Sequence, residues 1–313
     1  MQLGPAFVTG ILVVSAIAPA AEDTPTFKTA ATLVKVETYV YDRKTNAPIA
    51  GLTAADFVVH DESEPRDIAY FGDASGPLDL VFLMDVSGSM REVVPDIAAA
   101  AAGALAHLDP TDRAAVLAFG KHTAVEQPLT GDPDAVVQGL RRILNARVGT
   151  DTDINQAVWS AADYLHGAAG AVNRAIVVMT DNEQVTAVPD ALVDEQLFEA
   201  GAVLDGLLVR GAVPMPHITH PGILHFAART GGDVLEGSHP GARLDEMIRR
   251  IKARYVIHFK PVRTDASGAR RIRVELTPEA RRRYPNAVVR ARTSYFPNSR
   301  YQPVGAVLVA VAR

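Results

Sequence analysis

The sequence predicts an α/β protein: a doubly wound, mostly parallel sheet with helices on both faces, joined to a small β-rich module. From Leu78 to Arg254, short apolar segments alternate with Ala-rich amphipathic segments, as strands and helices do in such a sheet. The segment 175–180 is almost continuously apolar, which is typical of a central parallel strand covered on both faces. At both ends of the chain apolar and polar residues alternate instead, which indicates half-buried strands.

The α/β part is predicted to contain five strands and six helices in alternation. The strands are expected at 78–84, 113–119, 174–180 and 202–209, with a shorter one near 233–236. The helices are expected at about 91–108, 132–145, 153–168, 190–200, 221–229 and 243–254.

The β-rich module is predicted to draw its strands from both ends of the chain. Val34, Val36 and Val40 alternate with polar residues, and a short helical turn at 52–56 precedes a second strand, which is expected to pair with the segment 68–71. Segments 272–276 and 289–292 alternate in the same way and are expected to pair with the N-terminal strands. The predicted boundaries are a signal peptide at 1–20, an N-terminal β segment at 28–75, an α/β domain at 77–254, a C-terminal β segment at 255–296 and a tail at 297–313.

Composition excludes several classes of function. The 313 residues carry a net charge of −5, and the sequence pI near 6.0 argues against a dedicated nucleic-acid surface. Cysteine is absent, which excludes disulfides, thiolate metal sites and catalytic thiols.

The N-terminus resembles an export signal. Residues 7–18 are mostly apolar, and Ala18-Pro19-Ala20 has the small side chains of a signal-peptidase site, although residues 1–5 lack the expected Lys or Arg. An uncleaved anchor and a start codon a few residues away are the alternatives. The later apolar run 304–312 is shorter than the roughly 20 residues that a membrane-spanning helix needs. We therefore expect an exported protein without a span in the mature chain.

Three segments with hydroxyl and carboxylate side chains follow predicted strands or precede helices at one edge of the sheet. The first is Asp85-Val86-Ser87-Gly88-Ser89, and the others are 149–154 and 180–182. Ligands bind at the carboxyl edge of open α/β sheets, and hard oxygen ligands suit Mg²⁺ or Mn²⁺. The alternative for Asp85 and Ser87 is a strand-to-helix turn with a capping role.

The pattern Asp-x-Ser-x-Ser resembles the metal-ion-dependent adhesion site of von Willebrand factor type A domains. The segment beginning at Thr152 is similar to the family's Thr-x-Leu-x-x-Ala, which favours Thr152 over Thr150, and 180–182 is similar to its Thr-Asp-Gly, with Asn182 in place of Gly. More widely, residues 28–296 look like exported bacterial proteins related to this family, in the periplasm or secreted. The resemblance implies Mg²⁺ or Mn²⁺ ligation by the hydroxyls of Ser87, Ser89 and Thr152, with Asp85 and Asp181 holding metal-bound waters.

The function implied is a non-enzymatic, metal-dependent protein-binding module that docks an acidic side chain of a partner on the ion. The alternatives are a structural envelope protein whose metal only stiffens the loops, and a metal-assisted hydrolase. The sequence does not indicate which oligomeric state the protein adopts.

Other motifs are weaker. A zinc site could be formed by His217, His220 and His225, but the intervening Pro221 disfavours it. The segment 120–123 is interpreted as a turn after a strand rather than a phosphate loop. Asp151 and Asp153 are interpreted as solvated or helix-capping residues.

Overall fold

Strands and helices account for most of the chain between Val34 and Tyr295 in a computed structural model. The structure describes residues 33–88, 90–149, 151–170, 173–182, 188–209, 222–237, 239–262 and 268–297. The predicted signal peptide and most of the predicted tail lie outside these residues.

The described residues form 14 strands and seven α-helices. The strands are β1 Val34–Asp42, β2 Phe57–Asp61, β3 Glu64–Arg66, β4 Ile68–Asp73, β5 Leu78–Asp85, β6 Arg113–Phe119, β7 Thr123–Thr130, β8 Asn173–Thr180, β9 Val203–Val209, β10 Val234–Gly237, β11 Tyr255–Phe259, β12 Arg270–Leu276, β13 Ala287–Ala291 and β14 Ser294–Tyr295. The helices are α1 Val94–Leu105, α2 Pro133–Arg142, α3 Ile154–Gly167, α4 Asp190–Ala200, α5 Gly222–Thr230, α6 Pro240–Lys252 and α7 Pro278–Arg283.

The α/β part is a six-stranded sheet in the order β10-β9-β8-β5-β6-β7. Neighbours pair in parallel except β7, which runs antiparallel at one edge. Side chains of β5 point alternately to two apolar cores, Leu80 and Phe82 to the core under α1, α2 and α6, and Val81 and Leu83 to the core under α3, α4 and α5. The predicted doubly wound fold with helices on both faces is confirmed.

The edge strand β7 is the element of this sheet that the sequence analysis missed. Its residues are half exposed rather than alternating cleanly, and Pro128 interrupts the pattern, as proline does on edge strands. Side chains occupy part of its free edge: the backbone N–H of Leu129 donates to the Tyr164 hydroxyl at 2.9 Å, and Arg142 donates to the Glu126 carbonyl at 2.8 Å. These contacts reduce the capacity of the edge to pair with another chain.

The β module consists of two four-stranded sheets, β13-β1-β11-β4 and β14-β12-β2-β3. Each sheet combines strands from both ends of the chain, since β1 pairs with β11 and β13, and β2 pairs with β12. Both sheets contribute to one apolar core, which includes Val36, Ile257, Val59 and Ile272. The prediction of a module assembled from both termini is confirmed. The predicted pairing of the strand after residue 56 with the segment 68–71 is wrong, because β2 pairs with β3 and β12, whereas β4 pairs with β11 in the other sheet.

The β module contacts the α/β part through polar side chains near the amino ends of the parallel strands. Both parts belong to one unit of the structure, Ala31–Arg313. Arg254, which immediately precedes β11, donates to both carboxylate oxygens of Asp205 on β9, at 2.7 and 2.8 Å. Arg290 on β13 pairs with Asp233, just before β10. Asp233 also pairs with Arg250 on α6, within the α/β part. We call this contact region the seam.

We expect the loss of one member of the Asp205–Arg254 pair to be strongly destabilising because both side chains are almost fully buried. Asp205→Asn leaves the guanidinium of Arg254 without its main counter-charge, and breaking a buried pair in this way costs about 3–5 kcal/mol. Urea denaturation measures the change. Glu279→Gln, which breaks an exposed pair with Arg282, is the control and should leave the midpoint unchanged; an equal effect of the two variants would contradict the prediction.

Burial is the main cause that lowers the pKa of His258 to about 4, and a positive charge on the nearby Lys35 adds to this shift. An unfolded histidine titrates near 6.5, so the unfolded chain binds more protons than the folded chain between these values. The free energy of unfolding should therefore fall as pH drops from about 6.5 towards 4. His258→Gln should reduce this slope in denaturation curves recorded across that range, and an unchanged slope would refute the assignment.

Candidate metal centre

Asp85 is the last residue of β5, and its carboxylate is buried at the carboxyl edge of the sheet. One oxygen, Oδ1, accepts the backbone N–H of Ser87 at 2.8 Å. The other, Oδ2, accepts the hydroxyl of Thr180 at 2.6 Å. Burial raises the pKa of Asp85 to about 6. Hydrogen bonds from Thr180 and from the backbone and side chain of Ser87 oppose this shift, and the negative charge of Asp181 adds to it. A cation at this edge would favour the ionised form of the carboxylate.

Thr180, the last residue of β8, links the end of β5 to the loop after β8. Its hydroxyl donates to Asp85 and accepts the backbone N–H of Asn182 at 3.1 Å. The sequence analysis noted Thr180 within its motif but gave it no role. The signal that identifies it is its place beside Asp85, because Met84 and Met179 are paired residues of β5 and β8.

The loop after β8 places Asp181 close enough to Asp85 to affect its charge state. Asn182 adopts the left-handed conformation, with φ of 63°, which Asn tolerates better than most residues. Asn182 therefore adopts a conformation that glycine also adopts readily. Its Oδ1 also accepts the backbone N–H of Ile223 at 3.4 Å, which ties this loop to the start of α5.

Thr152 lies in the loop that precedes α3, held against the end of β6. The backbone N–H of Asp153 donates to the Gly120 carbonyl at 3.1 Å. A Cβ at Gly120 would lie 2.7 Å from the Gly149 carbonyl oxygen, so only glycine permits this close approach. Since β6 is the neighbour of β5, with Phe119 paired to Asp85, the loop lies at the same edge. Asp153 caps α3 by accepting the N–H of Gln156 at 3.0 Å, as predicted.

Ser87 lies in the turn between β5 and α1. The backbone N–H of Val86 donates to the Phe119 carbonyl, and that of Met90 donates to the Ser87 carbonyl, both at 3.1 Å. Ser89 and Thr150 lie outside the described residues. The structure therefore brings segments bearing Asp85, Ser87, Thr152 and Asp181 to one edge of the sheet.

Residues 80–184 match the family model of the von Willebrand factor type A domain. This segment of the chain is therefore similar to the von Willebrand factor type A domain. The matched segment begins in β5 and ends just after Asn182, so it includes all five residues of the candidate site, Asp85, Ser87, Ser89, Thr152 and Asp181.

Solved structures with similarity to the chain include two proteins from Bacteroides. The conserved hypothetical protein BatB of Bacteroides thetaiotaomicron is 19% identical, with a TM-score of 0.46 over 56% of this chain and 97% of that one. An aerotolerance-related membrane protein of Bacteroides fragilis is 17% identical, with a TM-score of 0.45 over 56% and 98%. A von Willebrand factor type A protein of Catenulispora acidiphila is 14% identical, with a TM-score of 0.46 over 86% and 75%. Comparison with the curated proteins gives no match.

The donor chemistry of the candidate site fits a hard divalent cation. Its candidate ligands are hydroxyl and carboxylate oxygens, which suit Mg²⁺ and Mn²⁺. Across the residues that the structure describes, no three His, Asp or Glu side chains form a metal-binding group. His217 and His220 of the zinc hypothesis lie outside the described residues, and His225 contacts Asp194 at 3.3 Å. Within that same part of the chain, no helix is long and apolar enough to cross a membrane.

We expect Thr180 to stabilise the domain through its hydroxyl rather than its shape. Thr180→Val keeps the volume but leaves the buried Asp85 carboxylate without one donor, a loss of about 1–3 kcal/mol. Thr180→Ser retains the hydroxyl and should remain close to wild type. Urea denaturation of both variants tests this, and equal midpoints for Val and Ser would contradict it.

Proposed function

We propose that the von Willebrand factor A domain is a non-enzymatic, adhesion-type module that binds a partner protein through Mg²⁺ or Mn²⁺. The observation that supports this most is the convergence of three loops, after β5, after β8 and before α3, at the carboxyl edge of the sheet. Each loop supplies an oxygen-bearing side chain there.

The ion would be held directly by the hydroxyls of Ser87, Ser89 and Thr152, and through water by Asp85 and Asp181. Both oxygens of Asp85 already accept protein hydrogen bonds, which favours an indirect role for its carboxylate. A metal with neutral hydroxyl ligands retains more positive charge than one surrounded by carboxylates. Bound there, the ion would supply a coordination position for a carboxylate oxygen of the partner.

The surroundings of the site support contact with a protein. Leu192 in the first turn of α4 and Leu224 in the first turn of α5 are 51% and 48% exposed. Both helices follow strands that end at the carboxyl edge, and Asn182 hydrogen-bonds the start of α5. A partner that presents an acidic side chain to the ion would therefore meet exposed leucines beside it. We expect no nucleic-acid partner because the chain is acidic overall. We expect export because residues 1–20 resemble a signal peptide.

Calorimetric titration with Mg²⁺ and Mn²⁺ tests the metal site. Asp85→Ala and the double variant Ser87→Ala with Ser89→Ala should lose metal binding, whereas Glu279→Gln, which removes an exposed carboxylate in the β module, should bind as wild type does. Circular dichroism confirms that each variant is folded. Retained affinity in both site variants would refute the proposal.

A second titration separates docking from a purely structural metal. A short glutamate-containing peptide should raise the affinity for the metal, and the metal should raise the affinity for the peptide by the same factor. Metal binding without this coupling would favour the structural alternative. Capture of a protein from the native envelope fraction, lost on addition of a chelator, would then identify the partner.

A further inference from the structure

A buried lysine, asparagine and glutamate meet at the seam. Lys35 Nζ lies 2.7 Å from Glu37 Oε1 and donates to Asn173 Oδ1 at 2.7 Å. The Lys35 and Glu37 side chains are 9% and 7% exposed, and Asn173 is 3% exposed. Lys35 and Glu37 belong to β1 of the β module, whereas Asn173 begins β8, a central strand of the von Willebrand factor A domain.

The orientation of the Asn173 amide is set by backbone contacts. Its Nδ2 donates to the Gly76 carbonyl at 3.0 Å and more weakly to the Ala74 carbonyl at 3.4 Å. The backbone N–H of Asn173 also donates to the Pro77 carbonyl at 3.1 Å. These contacts direct the amide nitrogen towards the 74–77 segment and the carbonyl group towards Lys35. The carbonyl carbon is one bond beyond the oxygen that Nζ contacts.

The environment favours the neutral, nucleophilic amine of Lys35. Burial lowers the pKa of Lys35; Glu37 opposes this shift, and the positive charges of Arg292 and Arg174 add to it. A lysine with a lowered pKa in a desolvated site is an activated nucleophile. The carboxylate of Glu37 is in contact with Nζ and can accept its proton.

We propose that Lys35 and Asn173 form an intramolecular isopeptide bond, with Glu37 as the group that transfers the proton. The lone pair of Nζ attacks Cγ of Asn173, and a new N–C bond forms. Glu37 takes a proton from Nζ and delivers it to Nδ2. The Cγ–Nδ2 bond breaks, ammonia leaves, and Glu37 is regenerated as a carboxylate. No oxidant, reductant or other reactant is consumed.

Proximity makes the reaction feasible although an amide is a poor electrophile. The fold holds the amine in contact with both the amide and the carboxylate at a buried position, and such alignment replaces a large part of the entropic barrier. The positive charges of Arg174 and Arg292, which act on Lys35 electrostatically, also favour the negative charge that develops on Oδ1 during the attack. The bond would join two residues 138 positions apart and tie the β module covalently to the α/β domain.

Mass spectrometry of the folded, full-length protein tests the proposal. The wild type should be lighter than its sequence by one molecule of ammonia, and a proteolytic digest should contain one branched peptide that joins residue 35 to residue 173. Glu37→Gln, Lys35→Ala and Asn173→Ala should each have the mass of their sequence.

Asn173→Asp is the sharpest variant because condensation of Lys35 with an aspartate releases water instead of ammonia. The product is chemically identical to the wild-type product, so both proteins should have the same final mass and yield the same branched peptide. This result does not depend on the stability of the alanine variants. A folded wild type with the unmodified mass would overturn the proposal, as would a loss of ammonia that persists in Lys35→Ala.

Discussion

The parallel pairing of β5 with β8 is the constraint on which the other features depend. The register pairs Leu78 with Asn173 at one end and Met84 with Met179 at the other. At the carboxyl end it places the Thr180 hydroxyl against the buried Asp85 carboxylate. At the amino end it places Asn173 next to the chain that leaves the β module, where its amide meets the backbone of residues 74–76. One strand pairing thus positions the candidate metal centre at one edge and the Lys35–Asn173 contact at the other.

The two edges of the sheet differ in chemistry for a physical reason. At the carboxyl edge the chain turns from strands into helices, so short loops with polar side chains meet there. At the amino edge the β module covers the sheet with the outer face of its first sheet, and ionisable side chains of Lys35, Glu37 and Arg254 are buried there. Buried ion pairs of this kind contribute little net stability compared with apolar packing, but an unpaired member is costly. The buried charges at the seam therefore strongly favour one arrangement of the β module against the α/β part.

Burial shifts the pKa values of the Asp85 carboxyl and the Lys35 amine in opposite directions. Burial raises the pKa of the carboxyl and lowers that of the amine, because in each case the charged form is disfavoured. For Asp85 a cation at the carboxyl edge would offset this effect and favour the ionised carboxylate. For Lys35 the result is a more nucleophilic amine beside an amide carbonyl. The same desolvation thus supports ion binding at one edge and covalent chemistry at the other.

The sequence by itself determined the α/β fold, the origin of the β module in both termini and the three segments of the candidate site. These follow from local periodicity and from short motifs, which depend on neighbouring residues alone. It did not predict β7, whose half-exposed residues and Pro128 lack a strand period, nor the role of Thr180, which depends on the register with β5. The contacts of Lys35 with Asn173 and of Arg254 with Asp205 join residues 138 and 49 positions apart. Such contacts were decided only by the tertiary structure, because no local pattern encodes which side chains two packed sheets bring together.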